Sequence, residues 1–298
     1  MIDYRLLAAL AAVIKEGGFE RAAQVLHLTQ SAVSQRVRQL EERLGQVLLV
    51  RAQPPEPTPA GRQLLKHYQQ VCLLESALPA SLLGEAAEGP LTLALGINAD
   101  SLATWFWQAG EELLKRRNLL FDLRVDDQDV TQQMLKRGEV VGCVSAAATP
   151  LQGCRCSYLG TMVYRLLARP EFITRWFPEG LNPKSIQQAP AAVFGRHDAL
   201  QYRLLRQALG SKPPSVPGHY IPSPEAFAEA VYRGHAYGAI PDQQSEAWLQ
   251  KGELVEVIPQ HEYVRLYWHC WNISSDLLND LEDCFKKVAR QVLLQEDI

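Results

Sequence analysis

Residues 19–45, FERAAQVLHLTQSAVSQRVRQLEERLG, hold two helical patterns separated by a turn only three residues long. In the first pattern Ala22 and Ala23 permit another helix to approach closely. His27-Leu28-Thr29 makes the turn, and the Thr29 hydroxyl suits the cap of the helix that follows. In that helix an advance of about 100° per residue sorts the side chains into two faces. Ala32, Val33, Val37, Leu40 and Leu44 form the apolar face; Ser31, Ser34, Gln35 and Arg38 gather opposite, with Gln30 at the exposed N-terminal end. Gln and Arg can bond in two-pronged fashion to adenine or guanine edges, and Ser is small enough to let backbone approach phosphate, so this face suits a DNA major groove. A merely solvated helix shows a similar polar face. The tight two-helix arrangement is what argues for a helix-turn-helix with its second helix presented outward.

Upstream, YRLLAALAAVIKEGG sets Leu6, Leu10, Val13 and Ile14 on one face between a capping Asp3 and the Gly17-Gly18 stop, which predicts a first helix. Downstream, QVLLVRAQPPEPT reads as a strand, a proline-stiffened tip and a short return, the pattern of a wing. Arg51 sits where a wing side chain reaches phosphate or the minor groove, and it is equally what a solvated tip carries.

A further helix begins at Thr58-Pro59, with threonine as cap and proline at the first helical position. Leu64, Tyr68, Val71, Glu75, Leu78 and Leu82 recur along it at spacings of three and four, a coiled-coil seam with one polar interruption, until Pro79 kinks or ends it. A lone helix between two domains has no core of its own, so Leu64, Tyr68, Val71 and Leu78 are expected to meet a second chain. A core helix of a larger domain would carry the same stripe.

From Pro90 strand-like and helical segments alternate: LTLALGI, a helix over SLATWFWQAGEELLKRR, LFDLRVDD, VTQQMLKRG and EVVGCVSA. A second set follows, with YRLLARP, AAVF, a helix near DALQYRLLRQAL, GHYI, a helix from Ser223-Pro224, AYGAIP, and ELVEVI. VRLYWHCW and the helix SDLLNDLEDCFKKVARQVLL close the chain. This alternation predicts a mainly parallel sheet with helices on its faces.

Charge divides in the same place. Up to Lys66 there are nine Lys/Arg against six Asp/Glu, and from His67 onward 21 against 27, within a net charge of -3. A basic head and an acidic remainder point to two jobs. There is no GxGxxG, P-loop or GxSxG pattern to support catalysis, and no cofactor is implied. The six cysteines contain no CxxC and the seven histidines no HxxxH, so no metal site is expected and the thiols read as reduced; Cys154 and Cys156 in GCRC are the pair closest to redox or metal chemistry. Asp126, Asp127 and Asp129 invite a metal or acid-base reading, but carboxylates between strand and helix also serve as solvated caps. The first residues carry an acid and too short an apolar run for a signal peptide or a membrane span, so the expected location is cytoplasmic, with the nucleoid, and away from the membrane.

FERAAQVLHLTQSAVSQRVRQLEERLGQVLLVR followed by TPAGRQLL resembles the winged helix-turn-helix of LysR-type transcriptional regulators. DYRLLAAL, LLVRAQPPEPT, NADSLATW, RGEVVGCVS and PEAF narrow the likeness to the arginine- and lysine-responsive ArgP (IciA)/LysG subfamily, along essentially the whole chain. The resemblance implies an all-α winged helix-turn-helix with a linker helix, then an α/β two-lobed effector domain of the periplasmic-binding-protein-like type 2 class. The divisions are 1–58, 59–88 and 90–298, with lobe I at 90–162 and 266–298 and lobe II at 163–265. DNA contacts carry over to Gln30, Ser31, Ser34, Gln35, Arg38 and Arg51. The family often has Arg-Gln where this chain has Gln35-Arg36, and Arg36 points sideways, so which of that pair touches a base is open. The implied partners are double-stranded DNA, a second copy or a tetramer, RNA polymerase, and arginine or lysine as effector. The implied output is activation of a basic amino acid exporter gene.

In α/β sheets ligands gather at strand carboxyl ends, near helix N-termini. Asn98, Asp100 and Ser101 occupy such a junction; Asn98 and Ser101 suit an effector carboxylate, and Asp100, Asp127 or Glu225 its basic groups, with Ser145 at the end of EVVGCVSA counted with them. The residues alone imply a small polar ligand, and a plain helix cap accounts for Asp100-Ser101 as well; the amino acid comes from the resemblance. Alternatives are a regulator tuned to another small metabolite, a replication-origin or architectural DNA-binding protein, and an enzyme with a DNA-binding head.

Overall fold

The computed structural model describes residues 2–50, 52–76, 90–126, 128–195 and 199–295, with the backbone alone for 128–130. Three helices open the chain: α1 (Tyr4–Lys15), α2 (Phe19–Val25) and α3 (Gln30–Leu44). Leu7, Leu10 and Val13 of α1 meet Ala22 of α2 and Val33, Val37 and Leu40 of α3 in one small core. Leu44, expected on the apolar face, is 40% exposed, because it lies in the last turn just before Gly45 ends the helix at φ +65°. The wing is β1 (Leu49–Val50) antiparallel to β2 (Glu56–Pro57).

The linker helix α4 (Pro59–Glu75) is capped by Thr58, whose Oγ1 accepts the Gly61 N–H at 3.1 Å. Contrary to the expectation for a lone helix, α4 packs within its own chain. Leu65 is buried in the three-helix core with Leu64 and Tyr68 against it, and Leu73 is buried in the next domain. Burial pushes the Tyr68 phenol up to about 12. Lys66 Nζ stands 5.9 Å from the Trp271 ring centroid, and Gly138, at φ +76°, passes so near Lys66 that a Cβ there would come within 2.5 Å of the lysine Cβ. The helix joins the two domains because each supplies apolar surface to one part of it. Leu78, Pro79 and Leu82 lie outside the described residues.

Beyond it stands one six-stranded sheet in the order β4-β3-β5-β10-β6-β9: β3 (Leu91–Ile97), β4 (Leu119–Val125), β5 (Gly142–Ser145), β6 (Cys154–Ala168), β9 (Gly238–Pro241) and β10 (Val255–Trp271). A small parallel pair, β7 (Ala191–Val193) and β8 (Gly218–Tyr220), adds to the second lobe. The expectation of a mainly parallel sheet holds for β4-β3-β5 and for β7-β8 only, since β10 runs antiparallel to both β5 and β6, and β9 is antiparallel to β6. YRLLARP is the end of the long β6, and ELVEVI and VRLYWHCW are one strand, β10, continuous across a register shift between Glu256 and His261.

The helices of this region are α5 (Ala99–Thr104), α6 (Phe106–Arg116), α7 (Gln128–Arg137), α8 (Pro170–Trp176), α9 (Pro183–Gln188), α10 (Leu200–Leu209), α11 (Pro224–Tyr232), α12 (Asp242–Gln250) and α13 (Asp276–Val292). The single helix expected over residues 101–117 is broken into α5 and α6 at Trp105, whose ring is buried edge-on to Phe285 with centroids 5.6 Å apart. Core membership changes along the two long strands. Met162 and Tyr164 of β6 and Val264 and Leu266 of β10 pack in the first lobe, while Leu166 and Ala168 of β6 and Ile258 of β10 pack in the second.

The chain therefore crosses between lobes at Arg165 and between Ile258 and Val264. The Arg165 guanidinium is held there by both oxygens of Asp242, at 2.6 and 3.2 Å, and by Glu256 and His261; the carboxylates keep it firmly charged.

Candidate functional site

The outward face of α3 is the first candidate surface. Thr29 Oγ1 accepts the Ala32 N–H at 3.2 Å and shares a hydrogen bond with Ser31 Oγ at 3.0 Å, which satisfies a first-turn donor and ties the start of the helix to the turn. His27 takes φ +52° in that turn, with the His27 and Leu28 amides bonded back to Gln24 and Ala23 carbonyls. Because Val33, Val37 and Leu40 are buried, the period of the helix leaves Gln30, Ser31, Gln35 and Arg38 exposed, with Ser34 and Arg36 half-buried. Among the described residues the side chains of Gln30, Ser34, Gln35 and Arg38 make no intramolecular hydrogen bond or ion pair, so their donors and acceptors face outward. Arg51 lies outside the described residues. Thr29→Ala should lower the stability of this domain by about 1 kcal/mol, read as a small fall in thermal midpoint; an unchanged midpoint would show that the cap is idle.

The second candidate lies between the lobes. The strand order β4-β3-β5 places the first strand of the unit between the second and third, so the connections leave β3 and β5 to opposite faces and open a crevice at their carboxyl ends. Leu95 pairs with Gly142 and Gly96 with Cys143; continued by two residues, this register sets Asn98 and Ser145 level at that crevice. Asn98 is the N-cap of α5 but makes no side-chain cap bond. Among the described residues its Oδ1 and the Ser101 Oγ are both buried and have no hydrogen-bond partner. A buried polar group left unpaired costs about 1–3 kcal/mol, so two of them at a strand end mark a place built to receive hydrogen bonds from something polar. Ser145, also buried, accepts the Ala147 N–H at 3.2 Å and so shapes the loop leaving β5.

Asp100 neither caps α5 nor lies open. Its Oδ2 accepts the Tyr164 hydroxyl at 2.6 Å, tying the first turn of α5 to the strand that crosses between the lobes. Sequence reasoning misses Tyr164, which is one more bulky residue in an apolar strand; the only signal for it is a phenol in a buried run. Across the crevice α11 packs against α5, and exposed Glu225 stands in the first turn of α11, accepting the Ser223 hydroxyl at 2.9 Å. This strand end thus carries hydroxyl and amide groups, with a carboxylate in the first turn of each of the two helices that meet there, α5 and α11. Asp127 and the Asp129 side chain lie outside the described residues.

The cysteines form a separate group. Cys143, His269 and Cys156 lie side by side across β5, β10 and β6, with Cys156 Sγ 3.6 Å from His269 Nε2. Burial pushes the Cys143 thiol up to about 12, raises Cys154, Cys156 and Cys270, and lowers His269, so the sulfurs stay protonated and weakly nucleophilic. All six cysteines are unbridged, and no group of three or more His, Cys, Asp or Glu among the described residues is placed to hold a metal ion. No helix among the described residues is long and apolar enough to cross a membrane.

Comparison with known proteins finds relatives along nearly the whole chain. Residues 4–62 match the family described as bacterial regulatory helix-turn-helix protein, lysR family, and residues 88–291 match the LysR substrate binding domain. The HTH-type transcriptional regulator ArgP of Pseudomonas aeruginosa is 46% identical over 285 residues, covering 95% of this chain and 94% of the relative. ArgP of Photobacterium profundum is 43% identical and covers 99% of each. Among solved structures, ArgP from Mycobacterium tuberculosis superposes with a TM-score of 0.85 at 35% identity, covering 99% of this chain and all of that one. Full-length LysG from Corynebacterium glutamicum with bound effector Arg gives 0.77 at 32%, with the same coverage.

Proposed function

The chain belongs to the LysR family of bacterial transcriptional regulators, an effector-responsive DNA-binding protein and not an enzyme, and from that premise we propose that its signal is arginine or lysine bound between the lobes. The observation that carries this reading is the pair of buried oxygens, Asn98 Oδ1 and Ser101 Oγ, at the carboxyl end of β3, neither with a partner among the described residues. The effector's ammonium group donates to Asn98, and its carboxylate accepts from Ser101 and the first α5 amides. Its basic side chain is offset by Asp100, Asp127 or Glu225, with Ser145 lining the β5 side. The bound arginine of the LysG relative supports the choice of effector.

Gln30, Ser31, Ser34, Gln35 and Arg38 read the major groove and Arg51 reaches from the wing. Two chains pair through the linker, at Leu64, Tyr68 and Val71 of α4 and at Leu78 beyond it, as a dimer or as half of a tetramer, working with RNA polymerase on the chromosome to activate a basic amino acid exporter gene. A ligand that binds the closed arrangement of the lobes more tightly shifts the population toward it, and α4, packed against both domains, transmits the shift.

Calorimetry of the full-length chain with L-arginine and L-lysine tests the reading. At least one should bind saturably, and Ser101→Ala should weaken it about tenfold, the worth of one charge-assisted hydrogen bond. Absence of heat with both amino acids would end the effector assignment and leave the family membership standing.

A further inference from the structure

The far end of α11 borders a cavity of about 570 Å³ whose character is opposite to that of the crevice. It is lined by Arg169, Arg175 and Arg233 together with Phe172, Trp176 and Tyr232, and by His235. Three guanidinium groups and a histidine on one cavity stand out in a region that carries 27 acids against 21 bases. The acids facing them are Glu171, 3.4 Å from Arg169, and Glu229, 2.6 Å from Arg233, so the cations stay in excess. Arg175 has no ion pair among the described residues.

The rings arrange these cations. Arg169 lies over Tyr232 with 5.3 Å between the guanidinium carbon and the ring centroid, and Arg175 lies over Trp176 at 4.8 Å. Tyr232 is in turn stacked on Trp248 at 4.8 Å and 21°. A guanidinium held over a ring face still has N–H donors to offer an anion. Gly234, at φ +75°, permits this packing, since a Cβ there would sit 3.3 Å from Arg169 Cγ. The last α11 carbonyls oppose an anion less than bare ones would, because those of Glu229, Ala230 and Val231 already accept the amides of Arg233, His235 and Gly234.

We infer that lobe II carries a second ligand site, formed by Arg169, Arg175 and Arg233 with Trp176 and Tyr232, for an aromatic phosphate of nucleotide size. A volume of about 570 Å³ is far more than an inorganic anion fills and lies within the usual range for small-molecule sites. The guanidinium forks match phosphate oxygens in pairs, and the planar groups supply stacking faces for a base. Arginine and lysine are repelled here, so this site and the effector crevice sort ligands by charge. Both border α11, whose nine residues separate them by roughly 13 Å.

Calorimetry of the full-length chain with AMP, GMP, CMP and UMP tests the inference, with adenosine and inorganic phosphate as partial ligands. At least one nucleotide should bind saturably, at least tenfold tighter than adenosine or phosphate. Arg175→Gln and Arg169→Gln should each weaken it at least tenfold, with circular dichroism unchanged, while Ser101→Ala leaves it within twofold. Arg175 is exposed and has no ion pair among the described residues, so its replacement reads the site without unfolding it. No binding by any of the four nucleotides, equal binding by adenosine, or unchanged affinity in Arg175→Gln would each overturn the inference. Displacement of the nucleotide by single-stranded oligo-dA at lower concentration per phosphate would also overturn it, assigning the surface to nucleic acid.

Discussion

Gly61→Ala should destabilise the DNA-binding domain by about 3 kcal/mol and remove most DNA binding at 37 °C. A Cβ on Gly61 would lie 2.1 Å from the Leu48 carbonyl oxygen, inside any tolerable contact. That oxygen cannot turn away freely, because it accepts the Thr58 N–H at 2.9 Å, and Thr58 in turn caps α4 and donates its hydroxyl to the Val47 carbonyl at 2.8 Å. Relief therefore requires separating α4 from the wing. For a unit of this size each kcal/mol moves the thermal midpoint by about 4–8 °C, so a loss of at least ~12 °C is expected. Gly45→Ala is the comparison, since nothing lies within 4 Å of its added Cβ and only the left-handed backbone, at φ +65°, resists; about 1 kcal/mol is expected there. Equal midpoints for the two variants would show that the wing gives way more easily than its hydrogen bonds imply.

Arg38→Ala should weaken operator binding by roughly tenfold to a hundredfold, corresponding to the removal of one two-pronged bond to a base edge, worth about 1–3 kcal/mol. Arg38 is exposed on the outer face of α3 and makes no hydrogen bond or ion pair among the described residues, so truncation removes no such bond from them. Gel shifts at several salt concentrations separate two roles. If Arg38 bonds a base, its removal relaxes discrimination between operator and unrelated DNA; if it bonds a phosphate, its removal weakens both and lowers the salt slope by about one. Ser34→Ala should act in the same direction and more weakly, with the dimer intact in both variants. Unchanged operator affinity in both would remove α3 as the reading element.

Much of the head is legible in the sequence because its signals are local. The apolar spacing in α1 and α3, the Thr29 and Thr58 caps and the Gly17-Gly18 stop all act within one or two turns of the residue concerned. Leu44 shows the limit of that logic, since its angle on the helix fits the core but nothing covers the last turn, leaving it 40% exposed. Trp105 shows another, because it sits in an unbroken helical pattern and the break arises from its burial against Phe285, far along the chain. ELVEVI and VRLYWHCW read as separate segments for the same reason: only pairing with β6 carries β10 across the register shift.

The amino-acid sequence by itself determined the helix-turn-helix, the start of the linker helix, the alternating strands and helices, and the polarity of Asn98-Ala99-Asp100-Ser101, since each follows from period, capping or residue chemistry over a few neighbouring positions. Tertiary structure decided which of those groups meet. It set Asn98 level with Ser145, turned Asp100 to Tyr164, seated α4 on both of its neighbouring domains, and laid Arg169 over Tyr232. These pairings join residues tens of positions apart. The free energy that selects them is the burial of a shared core, and no local pattern encodes it.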